Sequence, residues 1–145
     1  MNKRSEILAT RILGSAARTG PVGLTYGETF RAPIALKAIA FQLDLTAAAA
    51  DAEDILNVWI QTSIDGVKWA NVIYFSQCLG DGGAKRYIQK LLLNAAQAEL
   101  NVANALSPGD QKHIAGDYFR AAYSIVDESE TANSSYTFSV DMIGM

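Results

Sequence analysis

Hydrophobic and polar residues alternate along four segments of the chain, residues 38–45, 56–61, 118–126 and 136–142, with the period of two that is typical of β-strands. Because successive side chains of a strand point to opposite faces, this alternation predicts strands that are buried on one face only. Such strands, separated by turn residues and without a regular helix between them, favour a sandwich of antiparallel sheets. We therefore predict an all-β fold, an antiparallel β-sandwich of the jelly-roll or immunoglobulin-like kind, with at most one short helix.

A β-hairpin is predicted for residues 55–77, because Asp65 and Gly66 separate two strand-like runs. Asp-Gly between such runs is a strong hairpin signal, since glycine can adopt the positive φ that a tight turn requires. The returning run, residues 69–77, does not alternate cleanly. It is interpreted either as a strand covered on both faces or as a strand whose phase is shifted by a β-bulge.

Less regular segments lie between these strands. Residues 7–17 suit an edge strand or a short helix, and we predict the strand because Gly14 disfavours a helix. Residues 86–93 are predicted to form another strand, and residues 94–106 either a loop or a short helix. The polar residues 127–135 are predicted to form a solvated loop that connects the last two strands.

Composition limits the classes of partner. The 145 residues fit one domain, 1–145, and carry 12 basic against 15 acidic side chains, a net charge of −3. Binding to nucleic acid through phosphates needs clustered Lys and Arg, so this balance predicts no nucleic-acid partner. No stretch reaches the roughly 18 apolar residues of a membrane helix, and the first residues do not resemble a signal peptide, which predicts a cytoplasmic protein without membrane contact.

Residues that commonly carry chemistry are few. Cys78 and His113 are the only cysteine and the only histidine, so they cannot form an internal disulfide or supply the ligands of a structural zinc site. Neither has a sequence neighbour that would make it a nucleophile or a general base, and we interpret both as structural. No enzymatic activity is predicted.

Two short motifs were weighed as ligand sites. The glycine-rich residues 79–86 lack the Gly-Lys-Ser/Thr ending of a phosphate-binding loop, and are interpreted as a loop between strands. The acids Asp51, Glu53 and Asp54 miss the ligand spacing of an EF-hand loop. We predict no metal and no cofactor.

Three aromatic residues fall in the predicted hairpin. Trp59, Trp69 and Tyr74 are interpreted first as cross-strand packing, which stabilises hairpins without a ligand. An interface with another protein ranks second, and Trp59 is the candidate interface residue because it alternates with Asn57 and Gln61. A sugar-binding platform ranks third.

The order of four segments carries a family resemblance. They are residues 15–19, 39–45, 58–69 and 136–140, and the third contains Gln-Thr-Ser-Ile-Asp-Gly-Val-Lys-Trp, which includes the predicted turn. In this order the chain resembles small virion structural proteins of tailed bacteriophages. The resemblance covers most of the chain, and residues 84–106 depart from it.

The resemblance implies a non-enzymatic component of a phage virion that is assembled in the host cytoplasm. The favoured expectation is a head decoration or cement protein that binds the major capsid protein and stabilises the shell, as a homo-oligomer for which a trimer is the expected state. A neck, tail or baseplate component is the first alternative. A carbohydrate-binding module or adhesin is the second.

The first residues, 1–8, are the expected docking arm. Lys3 and Arg4 offer charge, and Ile7 and Leu8 offer apolar surface, on a segment outside the predicted core. An arm that orders on contact with its partner is a common mode of recognition. The alternative is an ordinary frayed terminus.

Overall fold

The computed structural model describes residues 9–33, 35, 37–94, 99, 101, 105–127 and 134–145. Within them the protein is all-β, without a helix, and its two antiparallel sheets pack together as a sandwich. The predicted fold class is therefore confirmed. The strands are β1 (Ala9–Thr19), β2 (Val22–Tyr26), β3 (Phe30–Arg31), β4 (Ala38–Ala49), β5 (Ile55–Ser63), β6 (Ala70–Tyr74), β7 (Cys78–Leu79), β8 (Lys85–Leu92), β9 (Tyr118–Val126) and β10 (Ser135–Gly144).

The strand order is that of a jelly roll. One sheet has the order β1-β10-β4-β8 and the other β2-β9-β5-β6, with the short strands β3 beside β9 and β7 beside β5. The chain passes from the four-stranded sheet to the other between β1 and β2, between β4 and β5, and between β8 and β9, and it returns between β3 and β4, between β7 and β8, and between β9 and β10. Of the two sandwich types predicted, the jelly roll is the one whose topology this order matches.

The alternating segments form the predicted strands, with small extensions. The segment 118–126 coincides with β9, whereas β4 continues beyond residue 45 to Ala49 and β10 extends at both ends of 136–142. The less regular segments 7–17 and 86–93 correspond to β1 and β8. Residues 1–8, most of 95–104 and 128–133 lie outside the described part, so the predicted arm and the two predicted loops there remain predictions.

The core lies between the sheets and contains side chains from both. Phe41 of β4 and Phe119 of β9 are completely buried, and their ring centroids are 5.2 Å apart. Tyr123 of β9 meets Phe138 of β10 edge-to-face at 5.4 Å. These contacts join the two sheets directly, so packing of apolar side chains holds the sandwich together.

The hairpin is formed by β5 and β6, and its irregular return strand contains a bulge. The pairing shifts between Ile60 and Gln61, which explains why the sequence of the second strand does not alternate cleanly. The connection is wider than a tight Asp-Gly turn, since residues 64–69 all lie outside the strands. Gly66 has the expected positive φ, +76°.

Side chains organise this wide loop. The Ser63 hydroxyl donates to Asp65 Oδ1 at 3.0 Å and accepts the Gly66 N–H at 2.8 Å. Asp65 Oδ1 also accepts the backbone N–H groups of Val67 and Lys68, both at 2.9 Å. Because these donors favour the charged carboxylate, they lower the pKa of Asp65 from 3.8 to about 2, with Lys68 N–H contributing most.

Replacing Gly66 by valine tests the loop conformation. A β-branched residue at positive φ is strained, so we expect Gly66→Val to lower the free energy of unfolding by about 1 kcal/mol or more. The measurement is urea unfolding followed by tryptophan fluorescence. Gly14→Val is the matched control, because Gly14 has no atom near a new Cβ and no positive φ. Equal stability of the Gly66 variant and the wild type would contradict the loop geometry.

Asp65 makes the stability of the protein depend on pH in a defined range. Its carboxylate has a lower pKa in the folded state than the ordinary 3.8, so it stabilises the fold above about pH 4, and this contribution is lost as the pH falls through about 2. We expect Asp65→Asn to lower the urea midpoint at pH 7 and to flatten its decline between pH 4 and 2. Asp81→Asn, which changes an exposed carboxylate on another loop, is the control and should keep the wild-type dependence of the urea midpoint on pH. Identical pH profiles for the wild type and both variants would disprove the contribution of Asp65.

Candidate functional site

The outer face of the six-stranded sheet carries an unusual set of side chains. Along β5, Leu56, Val58 and Ile60 point into the core, so Trp59 and Gln61 point outward. The β-ladder places Ala122 of β9 and Tyr74 of β6 on either side of Trp59. Alternation along the chain therefore creates a polar and aromatic outer surface on a strand whose other face is apolar.

Trp59 and Tyr74 form a cross-strand aromatic pair. Their ring centroids are 4.8 Å apart with an interplanar angle of 30°, which is a stacked arrangement. The Tyr74 hydroxyl donates to Asn57 Oδ1 at 2.6 Å, and the same oxygen accepts Gln77 Nε2 at 2.9 Å. The amide nitrogen of Asn57 donates to Ser124 Oγ at 3.3 Å. Asn57 is 7% exposed and has both ends of its amide bonded within the protein.

Arg120 of β9 is held by a second group of outer-face side chains. Its Nε donates to Gln61 Oε1 at 2.7 Å, and Gln61 Nε2 donates to Asn71 Oδ1 at 2.8 Å. The guanidinium carbon lies 3.8 Å from the ring centroid of Tyr26 and 4.2 Å from that of Trp69. Burial lowers the pKa of Arg120, and the proximity of Tyr26 opposes this shift. The cation is thus fixed between two aromatic rings.

Exposed apolar side chains lie close in sequence to Tyr26 and Trp69, whose rings hold this cation. Leu24 precedes Tyr26 on β2, and Ile64 and Val67 lie on the hairpin loop that ends at Trp69. The exposed fractions are 51% for Leu24, 48% for Tyr26, 81% for Ile64 and 77% for Val67. We call the set Leu24, Tyr26, Ile64, Val67, Trp69 and Arg120 the hairpin face. Large exposed apolar side chains are a common feature of interaction surfaces.

The structure divides the aromatic residues of the predicted hairpin into two groups. Trp59 and Tyr74 stack on each other, whereas Trp69 packs on Arg120 together with Tyr26. Trp59 belongs to the outer face and not to the core, as its alternation with Asn57 and Gln61 indicated. The sequence did not reveal Tyr26 as a neighbour of Trp69, because β2 has no alternating pattern from which a strand could be predicted.

The cysteine and the histidine occupy structural positions. Cys78 is 1% exposed, and burial raises the pKa of its thiol to about 11, with the charge of Lys85 opposing the shift. A thiol with that pKa is protonated and a poor nucleophile near neutral pH. His113 Nδ1 accepts the backbone N–H of Leu92 at 3.0 Å, which ties the segment before β9 to the end of β8.

The acidic motif around Asp54 and the glycine-rich residues 79–86 contribute to packing. Asp54 is fully buried, and its Oδ2 accepts the Ser134 hydroxyl at 2.8 Å and the Asp51 N–H at 3.1 Å. Gly80 packs so tightly that an added Cβ would overlap the Asp51 carbonyl. In the described part of the chain, no three His, Cys, Asp or Glu side chains are grouped so that they could hold a metal ion.

Two open clefts lie away from the hairpin face. One, of about 560 Å³, separates β8 from residues 109–113, and Gln89, Gln111 and His113 line it. The other, of about 540 Å³, lies on the outer face of the four-stranded sheet and is lined by apolar residues such as Ile88 and Ile143. Neither brings together an acid, a base and a nucleophile.

Comparison of the chain with protein-family models, with curated proteins and with solved structures found no match. The described residues include no helix long and apolar enough to cross a membrane. The fold and the side chains of the hairpin face therefore carry the functional argument.

Proposed function

We propose that the protein is a structural component of a tailed-phage virion, and that it decorates the head by binding the major capsid protein. The hairpin face is the observation on which this proposal rests. Trp, Tyr and Arg dominate the binding energy of protein interfaces, and charged groups are sparse at their centres. The hairpin face combines Tyr26, Trp69 and Arg120 with exposed aliphatic side chains.

Preorganisation strengthens this argument. Arg120 is held by Gln61 and by two rings, so binding a partner costs little side-chain entropy. Cys78, His113 and Asp54, the residues with the most reactive groups, are each engaged in packing or in holding a loop. These features favour recognition over catalysis.

The fold supports the proposal only by analogy. Jelly rolls occur in viral capsid proteins, and they occur also in lectins and cupins. Since one fold hosts many functions, the topology is compatible with both a virion protein and a carbohydrate-binding protein and does not choose between them.

A sugar-binding role is the second candidate, and the stacked Trp59–Tyr74 pair beside several amides favours it. Sugar recognition needs free amide donors and acceptors next to an aromatic surface. Here Asn57 bonds Tyr74, Gln77 and Ser124, and Gln61 bonds Asn71 and Arg120. Because these amides are satisfied within the protein, we rank the protein interface first. A saccharide that quenches tryptophan fluorescence or a positive glycan array would reverse this order.

The decisive experiment locates the protein on an assembled particle. We expect a low-resolution image of labelled particles to place it on the head, and quantitative mass spectrometry to give a copy number comparable to that of the capsid subunit. A single ring at the neck or baseplate, with a correspondingly low copy number, would favour the neck, tail or baseplate alternative. Absence from purified particles would refute the virion proposal.

The docking arm has a separate test. We expect deletion of residues 1–8 to leave the melting temperature unchanged, because it removes none of the described strand pairings, and to remove attachment to particles. Attachment is measured by co-sedimentation of the purified protein with undecorated heads. Full occupancy by the shortened protein would show that these residues do not dock.

A further inference from the structure

One edge of the four-stranded sheet has an open row of backbone groups. β8 pairs with β4 and has no strand on its other side. In β4, Ala38 exchanges hydrogen bonds with Met145 on the β10 side, so Ile39 must face β8, where it opposes Leu91. Pairing then alternates along the ladder. Leu91 and every second residue before it bond β4, whereas the residues between them present their N–H and C=O groups to the free edge.

The outward residues are Arg86, Ile88, Lys90 and Leu92. Of their four N–H groups, that of Leu92 donates to His113 Nδ1 at 3.0 Å. Within the described ranges, the backbone groups of Ile88 and Lys90 have no backbone partner on this side. An edge strand with free N–H and C=O groups is a template for pairing with another extended segment.

An open cleft lies beside this edge. The cleft, of about 560 Å³, runs between β8 and residues 109–113. Gln89 Nε2 of β8 donates a hydrogen bond to the Gly109 carbonyl at 3.3 Å and so connects its two sides. Gln111 Oε1 lines the cleft and is buried without a hydrogen-bond partner among the described residues. A buried acceptor of this kind is normally satisfied, and a donor from an occupant of the cleft would satisfy it.

The side chains along the edge alternate between basic and apolar. Arg86 and Lys90 are separated by Ile88, which is 60% exposed, and Leu92 follows. Arg86 reaches Asp44 only at 3.5 Å, and Lys90 has no carboxylate within 4 Å in the described part of the chain. Directly opposed cross-strand residues stabilise a sheet when their charges are opposite or when both are apolar.

We propose that the free edge of β8 binds, as a fifth strand of this sheet, an extended peptide segment of a partner protein in which every second residue is alternately acidic and apolar. Because every second side chain of a strand lies on the same face, this spacing places the acidic side chains opposite Arg86 and Lys90 and the apolar ones opposite Ile88 and Leu92. This interaction goes beyond the proposed function. It depends on the residue pattern of the bound peptide segment and not on a phage particle, and it involves a surface distinct from the hairpin face.

The test uses the full-length chain and a synthetic alternating peptide, acetyl-Glu-Thr-Val-Thr-Glu-Thr-Val-amide, in which Glu and Val alternate on one face of the extended strand. Its control is acetyl-Glu-Thr-Glu-Thr-Val-Thr-Val-amide, which has the same composition without that alternation. Amide hydrogen exchange is followed by NMR at increasing peptide concentration. We expect the alternating peptide to slow exchange at the Ile88 and Lys90 amides about tenfold or more, and the control peptide to leave both unchanged.

A charge reversal tests the pairing of side chains. We expect Lys90→Glu to weaken binding of the alternating peptide about tenfold, because an attraction becomes a repulsion. Lys68→Glu makes the same change at an exposed lysine on the hairpin loop and should bind like the wild type. Lys90 is exposed, so its variant should retain the wild-type amide spectrum elsewhere.

Several results would overturn the proposal. Slow exchange of the Ile88 and Lys90 amides in the free protein at every concentration would mean that the chain covers its own edge. If exchange at the Ile88 and Lys90 amides of the free protein becomes slower as the protein concentration rises, the occupant of the edge is a second copy of this chain. Failure of the peptide to bind, or binding without a change at these two amides, would also refute it. None of these outcomes depends on particles, so the virion proposal is tested separately.

Discussion

Replacing Phe41 by alanine is expected to lower the free energy of unfolding by about 3–5 kcal/mol. Phe41 is completely buried, and its ring contacts Phe119 across the space between the two sheets. Removal of the ring loses its transfer free energy and leaves a cavity at the centre of the sandwich, where neither sheet can close the gap alone. For a domain of this size the melting temperature should fall by roughly 6–20 °C.

Ile88→Ala is the matched control, because Ile88 lies on the neighbouring strand β8 with 60% of its side chain exposed. Its melting temperature should change by only a degree or two, as is usual for exposed positions. Calorimetry of both variants distinguishes a specific core contact from a general sensitivity of the four-stranded sheet. Comparable losses in the two variants would contradict the assignment of Phe41 to the centre of the core.

The second large effect is expected on binding. Trp69→Ala removes one of the two rings that hold Arg120, and truncation of an aromatic residue at the centre of an interface commonly costs about 2 kcal/mol or more. Attachment to undecorated heads, measured by co-sedimentation, should weaken about 30-fold or more. Arg120→Lys should weaken it as well, because an ammonium group lacks the planar shape that stacks between Tyr26 and Trp69.

Leu79→Ala provides the control for this binding experiment. Leu79 is 48% exposed and lies in the same sheet, but it pairs with Ile55 at the opposite end of β5 from the hairpin loop. This variant should attach like the wild type. Undiminished attachment of the Trp69 variant, with circular dichroism showing a native fold, would remove the hairpin face from the proposed interface.

Much of the fold was predictable, because burial on one face leaves a direct signature in the sequence. Apolar residues recur at every second position over much of β4, β9 and β10, since one side of each faces the core. β2 was not predicted, because it is short, interrupted by Gly23, and exposed along most of its length. Apart from the β5–β6 hairpin, the pairing of strands was not readable from the pattern, since it depends on contacts between segments far apart in sequence.

The candidate site was less predictable than the fold. Alternation correctly indicated that Trp59 points away from the core, and Asp-Gly correctly located the hairpin loop. The role of Arg120 depends on Tyr26, which comes from a strand distant in sequence, and on the wide loop that positions Trp69. Such a cluster is created by the sheet order, and a local pattern carries no signal for it.

The position of β10 has a consequence for how the chain reaches its native state. β10 lies between β1 and β4 and pairs with both, although it comes last in sequence among the described strands. Until it is inserted, two long strands keep unsatisfied edges, and the partly folded chain is prone to aggregation. We therefore expect this sheet to close only after β10 has been synthesised, and slowly, as is usual when most pairings are distant in sequence.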